Sequence, residues 1–121
     1  MTGHGGACTV MVDGSIVKSC ITLAASVQRK KISTIEGLGE KESLHPVQAA
    51  FCEESGFQCA YCAPGMLLST VELLNETPDP SDAEIRSALS GNLCRCTGYQ
   101  SIVRAVRTAA KLYTADKETQ E

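Results

Sequence analysis

Four cysteines constrain this chain more than any other feature. Cys59 and Cys62 form a C-x2-C pair, Cys94 and Cys96 form a C-x-C pair, and 31 residues separate the two. Two tight thiol pairs brought together in space make a tetrahedral four-sulfur cage, so the fold has to deliver two remote turns to one place. Such a cage suits either a zinc ion or an iron–sulfur cluster. The two differ in consequence, because zinc has no redox chemistry whereas a cluster carries electrons.

A chain of 121 residues is enough for one domain of ordinary size or two very small ones. Aromatic residues make up only 4% and tryptophan is absent, so a core drawn from the 43% hydrophobic content must be aliphatic. The net charge of -3 argues against a nucleic-acid binder, which needs a basic face. Basic residues gather at 29–31 and at Arg104, Arg107 and Lys111; the first group reads as a solvated turn, the second as the outer face of a helix. No apolar run reaches bilayer-spanning length, so no membrane insertion is expected. The start, Met-Thr-Gly-His-Gly-Gly, lacks the charged and apolar regions of a signal peptide, so a cytoplasmic location is expected. In a reducing compartment seven cysteines point to metal ligation rather than disulfides, and their odd number agrees.

The pattern predicts an α+β chain of two unlike parts. In residues 1–42, Val10-Met-Val12, Asp13-Gly14 and Ile16-Val17 read as a β-hairpin with a tight turn. Lys31 to Ile35 reads as a further short strand, and Glu36 to Ser43 as a linker. Residues 43–113 read as four helices. Pro46 opens the first, with Leu44, Val47, Ala50 and Phe51 on one face up to Gly56. Pro64 opens the second, with Leu67, Leu68, Val71 and Leu74 inward. Ser81 and Glu84 make a capping box for the third, which carries Ile85, Ala88 and Leu89 and stops at Gly91. The fourth runs from about Ser101 to Tyr113 with Ile102, Val106, Ala109 and Tyr113 inward. Residues 114–121 read as a polar, frayed tail.

This placement sets each cysteine pair in the turn before a helix. Helix N-termini present unpaired N–H groups and a partial positive charge, and both favour thiolates. Cys52 reads as a small core residue of the first helix. His4 and His45 read as turn or cap residues, Arg95 as a surface residue able to act on a cluster through its charge, and Tyr99 as packing beneath its turn. No nucleophile triad, phosphate loop or carboxylate pair stands out, so this chain is not expected to break bonds by itself. At this level a structural zinc or interaction module without redox activity stays open.

Residues 57–66, Phe-Gln-Cys-Ala-Tyr-Cys-Ala-Pro-Gly-Met, and 89–99, Leu-Ser-Gly-Asn-Leu-Cys-Arg-Cys-Thr-Gly-Tyr, closely resemble the two signatures of the small iron–sulfur subunit of the molybdenum hydroxylases. This xanthine oxidase family includes aldehyde oxidoreductases and carbon monoxide dehydrogenase. The resemblance runs from about Gly3 to Ala110. It implies a non-catalytic electron-transfer subunit of an oxidoreductase complex, whose cluster passes electrons from a molybdenum centre towards FAD or another acceptor. It implies a 2Fe–2S cluster on Cys59, Cys62, Cys94 and Cys96, with Gln58 reaching the pterin and Cys96 on the electron path. It implies two partners, a large molybdopterin-binding subunit and a medium FAD-binding subunit.

The resemblance also implies a ferredoxin-like β-grasp half with a second cluster, and here the sequence departs from the pattern. Cys8 and Cys20 fall at two of the four ligand positions, Gly5 stands where another thiol belongs, and the chain begins just after the place of the remaining one. Two thiols do not complete a 2Fe–2S site. The expectation is therefore an incomplete ferredoxin-like segment over residues 1–42 ahead of a four-helix cluster domain over 43–113, with one cluster in this chain alone. A fragment, a split domain and a degenerate, non-functional remnant all fit the departure.

Overall fold

The computed structural model of the chain describes residues 6–39, 42–93 and 99–120, the stretch 114–120 through its backbone alone. β1 (Thr9–Val12) and β2 (Ser15–Lys18) form the expected hairpin, and β3 (Ile32–Ser33) pairs with the other edge of β1. Both pairings are antiparallel, so the sheet order is β2-β1-β3. The turn follows from Asp13 and Gly14, which sit at φ 50° and 87°. Two successive positive φ values are what a two-residue loop needs to match the twist of its strands. Asp13 also anchors β3: its N–H donates to the Lys31 carbonyl and its carboxylate accepts from the Lys31 N–H, each at 2.9 Å.

Four helices follow. α1 spans Pro46–Glu53, α2 Ala63–Glu76, α3 Asp82–Leu89 and α4 Gln100–Gln120. His45 caps α1 by accepting the Val47 N–H on Nδ1 at 3.2 Å, while Gln48 reaches back to the His45 N–H at 3.0 Å. Ser81 and Glu84 close the same reciprocal box on α3. α4 continues through residues 114–120, the stretch whose polar composition suggested a frayed tail.

The core is aliphatic, as the scarcity of aromatics required. Val47, Ala50, Phe51, Leu74, Ile85, Ile102, Val106 and Ala109 are wholly buried. α1 packs along α4, and α2 touches α1, α3, α4 and the β1–β2 hairpin. Two residues depart from expectation. Leu44 is 49% exposed because it precedes the helix whose face it was assigned to. Cys52 is exposed rather than in the core: it follows Phe51, and one step along a helix turns its side chain about 100° away from the buried stripe. The basic residues of α4 face outward as expected, with Arg104 4.0 Å from Glu54 and Arg107 paired with Asp82.

The hairpin is not left alone on the helices. Its outer strand β2 has a free ladder edge, and the Ile16 N–H on that edge donates to Glu72 Oε2 of α2 at 2.6 Å. The face of the sheet bearing Val10 and Val17, with Leu23, Val27 and Ile32, forms an open apolar groove. Among the described residues no helix is long and apolar enough to cross a membrane.

Two substitutions test this account by urea unfolding of the chain. Leu74→Ala is expected to cost roughly 2–5 kcal/mol, because the site is sealed and leaves a cavity. Ser81→Ala removes one cap on an exposed helix end and is expected to cost only about 1 kcal/mol.

Candidate metal centre

Cys59 and Cys62 lie in the turn that leads into α2. Cys62 is the N-cap residue of that helix and is 7% exposed, whereas Cys59 is exposed. The turn is built on Ala60, at φ 66°, a left-handed conformation that residues with a Cβ adopt at a cost. The Ala60 carbonyl accepts the Ala63 N–H at 3.2 Å and the Cys62 carbonyl accepts the Met66 N–H at 3.1 Å, so the turn runs directly into the helix. Pro64 in the first turn lacks an N–H, which removes one donor that would need a partner. The thiol of Cys62 thus stands at the positive end of a 14-residue helix. Gln58 is exposed beside Cys59.

Cys94, Arg95 and Cys96 lie outside the described residues, as do His4 and Gly5. The residues on either side of 94–98 are described. Asn92 is buried at 2% exposure, and Tyr99, half-buried at φ 71°, donates its hydroxyl to the Asn92 carbonyl at 3.2 Å. Tyr99 therefore packs at its turn as the sequence suggested. Asn92 Nδ2 donates to Ser69 Oγ of α2 at 2.9 Å, which ties the residue two positions before Cys94 to the helix that Cys62 caps.

Residues at the start of the described chain reach the same place. Gly6 and Gly65 come so close that a Cβ on Gly65 would stand 2.6 Å from the Gly6 Cα and would overlap Asn92 Oδ1. Only two side chains reduced to hydrogen allow the loop before β1 to lie against the first turn of α2. Cys8 and Cys20 follow on this loop and just beyond β2. The Ser19 N–H and hydroxyl both donate to the Cys8 carbonyl, at 3.1 and 2.7 Å, which holds the two cysteine segments side by side. The Cys20 N–H, helped by the Cys20 and Ser19 side chains, outweighs burial and holds the Cys8 thiol below the usual cysteine range. Cys8 and Cys20 form no disulfide.

Whether these residues suit an iron–sulfur cluster turns on donor type and setting. The described donors are soft sulfur ligands, one buried and one exposed, at a helix N-terminus, with a glycine contact keeping bulk away behind the turn. That fits a thiolate-ligated cluster. Among the described residues no three His, Cys, Asp or Glu side chains gather as a metal site, consistent with a cage that needs the 94–96 pair to close. Sequence reasoning missed Lys18, Ser69 and Asn92 as a group. Asn92 could have been singled out as a polar residue two positions ahead of Cys94, but its burial carried no local signal.

Residues 34–107 match the 2Fe-2S binding domain family. The nicotine 6-hydroxylase small subunit of Paenarthrobacter nicotinovorans is 50% identical over 108 residues, covering 88% of this chain and 65% of the relative. The nicotinate dehydrogenase small FeS subunit of Eubacterium barkeri is 47% identical over 109 residues, covering 90% of this chain and 69% of the relative. The chain thus spans between about half and seven-tenths of the iron–sulfur subunits it matches. Among solved structures, quinoline 2-oxidoreductase from Pseudomonas putida 86 superposes with a TM-score of 0.88 at 40% identity, over 96% of this chain and 72% of that one. The aldehyde oxidoreductase of Desulfovibrio gigas gives 0.89 at 41% identity, over 95% of this chain and 13% of that one. With the cysteine turn, its helix and the docked hairpin all matched, this chain belongs to the 2Fe-2S binding domain family of the small iron–sulfur subunits of the molybdenum hydroxylases.

Proposed function

We propose that this chain is an electron-transfer subunit that holds one 2Fe–2S cluster through Cys59, Cys62, Cys94 and Cys96. In this reading it relays electrons from a molybdopterin centre in a large partner subunit towards FAD in a medium subunit or another acceptor. The observation that carries the reading is a thiol built into the N-terminus of a core helix, within a family match that spans all four cysteines. When bound, the cluster supplies one-electron storage. The residues of the chain supply its setting: the end of α2 stabilises negative charge on sulfur, and the burial of Cys62 against the exposure of Cys59 gives the site an inner and an outer side.

The outer side also carries apolar surface. Tyr61 is 74% exposed and Leu93 64% exposed, each one residue from a ligand cysteine. Exposed side chains of this size beside a redox site support a partner that covers it. Gln58, exposed next to Cys59, is our candidate for contact with the pterin. We read residues 1–42 as part of a ferredoxin-like half, residues 43–113 as the cluster domain, and Cys8 with Cys20 as two positions of a second cluster site.

Anaerobic iron and acid-labile sulfide analysis, with EPR of the dithionite-reduced chain, is expected to find about two irons and two sulfides and a single signal. Stoichiometric zinc without sulfide would overturn the reading in favour of a structural module. Cys62→Ser is expected to lower iron and sulfide to below roughly a tenth of wild type, because three thiolates leave a four-ligand cluster incomplete. In the metal-free chain the alkylation rate of Cys8 is expected to reach half its maximum at a lower pH than for a cysteine in an unstructured peptide, since its thiol ionises early.

A further inference from the structure

Lys18 belongs to β2, yet its ammonium leaves the sheet. Its Nζ donates to Asn92 Oδ1 at 2.7 Å and to Thr9 Oγ1 at 3.1 Å. Thr9 is 3% exposed and Asn92 2%. The contact with Asn92 is long-range, from a strand to the residue two positions before Cys94. Each polar group of Asn92 has a partner in this arrangement: Oδ1 takes Lys18, Nδ2 serves Ser69, its N–H donates to the Leu89 carbonyl at 3.0 Å, and its own carbonyl takes the Tyr99 hydroxyl.

The place reached by this ammonium is where the described segments of Cys8, Cys20 and Cys62 come together. Asn92 Oδ1 and the Cys62 carbonyl oxygen lie 2.9 and 3.4 Å from the same point, the position a Cβ would take on Gly6. Thr9 follows Cys8, and Lys18 precedes Cys20 by two residues. A cation half-withdrawn from water and hydrogen-bonded to neutral oxygens, with no carboxylate among its described hydrogen-bond partners, keeps its field.

We propose that Lys18 and Asn92 form a charged clasp that fixes the Cys8–Cys20 strand pair against the turn of Cys62 and sets the reduction potential of the cluster by holding a positive charge beside it. Reduction adds one electron to an already anionic thiolate cluster, so a nearby cation favours the reduced form. Lys18 and Asn92 are positioning residues, neither of them a ligand. The inference rests on the reading of the chain as a 2Fe–2S subunit.

The test is an EPR-monitored redox titration of the iron- and sulfide-loaded chain as wild type, Lys18→Met, Lys18→Arg and Asn92→Ala. Lys18→Met keeps the length of the side chain and removes the charge. It is expected to retain wild-type iron content and to lower the reduction equilibrium constant about tenfold, a downward shift of about 59 mV for one electron. Lys18→Arg is expected to restore most of that shift. Asn92→Ala is expected to alter the EPR g-values and to speed iron loss to a chelator at least severalfold. A loaded Lys18→Met chain with wild-type potential overturns the proposal alone. An equal shift in Lys18→Arg overturns the charge argument, because a purely steric role would then suffice. A wild-type chain that takes up no iron and sulfide overturns the proposal together with the reading beneath it.

Discussion

The position of one buried thiol is set by the packing of one buried helix. α2 is capped by Cys62, and Gly65 through Val71 are buried without interruption. Leu67, Leu68, Val71 and Leu74 pack into the common core, so α2 cannot slide or rotate without exposing apolar surface worth roughly 25 cal/mol per Å2. A thiol at the N-cap of such a helix inherits that rigidity. The proposed electron-transfer role asks for such rigidity, because little reorganisation accompanies each change of charge when the backbone carrying the thiol is held by a core.

The sheet depends on the same helix. A hairpin of four-residue strands is marginal in water by itself. Here Met11 and Val12 are buried, the Ile16 N–H finds Glu72, and the loop before β1 lies on Gly65. These contacts give the short strands a tertiary partner, and they bring Cys8 and Cys20 into the neighbourhood of Cys62. The two cysteine regions, far apart in sequence, are thus parts of one packed unit. Its polar seam, from Thr9 through Lys18 and Asn92 to Ser69, is hydrogen-bonded throughout. Among the described residues no buried side-chain nitrogen or oxygen lacks a partner. That matters in a seam this close to apolar core, where an unpaired donor would cost about 1–3 kcal/mol.

Apolar exposure is uneven over the molecule. Ile21, Leu23 and Ile32 stand out beside the open groove of the sheet, and Tyr61 and Leu93 stand out beside the cysteine turns. The helical core has no comparable opening among its largest side chains, which are sealed. These five residues mark two surfaces of different kinds, one on the sheet and one around the thiols, and Leu44 and Leu112 are exposed as well.

Much of the architecture was legible in the sequence because its signals are local. Asp13-Gly14 dictates a hairpin turn, Ser81 with Glu84 a helix start, and Pro46 and Pro64 first-turn positions, each through the backbone of a few neighbouring residues. The family signatures around Cys59, Cys62, Cys94 and Cys96 are local in the same sense. The outward turn of Cys52 and the exposure of Leu44 were not legible, since each depends on where a helix meets its neighbours. The clasp of Lys18 and Asn92 was further out of reach, its partners lying 74 positions apart in the sequence. By itself the sequence determined the elements and the thiol chemistry, because periodicity, capping and cysteine spacing act over a turn or two. Only the tertiary structure decided which polar groups stand beside those thiols, because burial and a hydrogen bond between distant residues exist only once the helices and the sheet have packed.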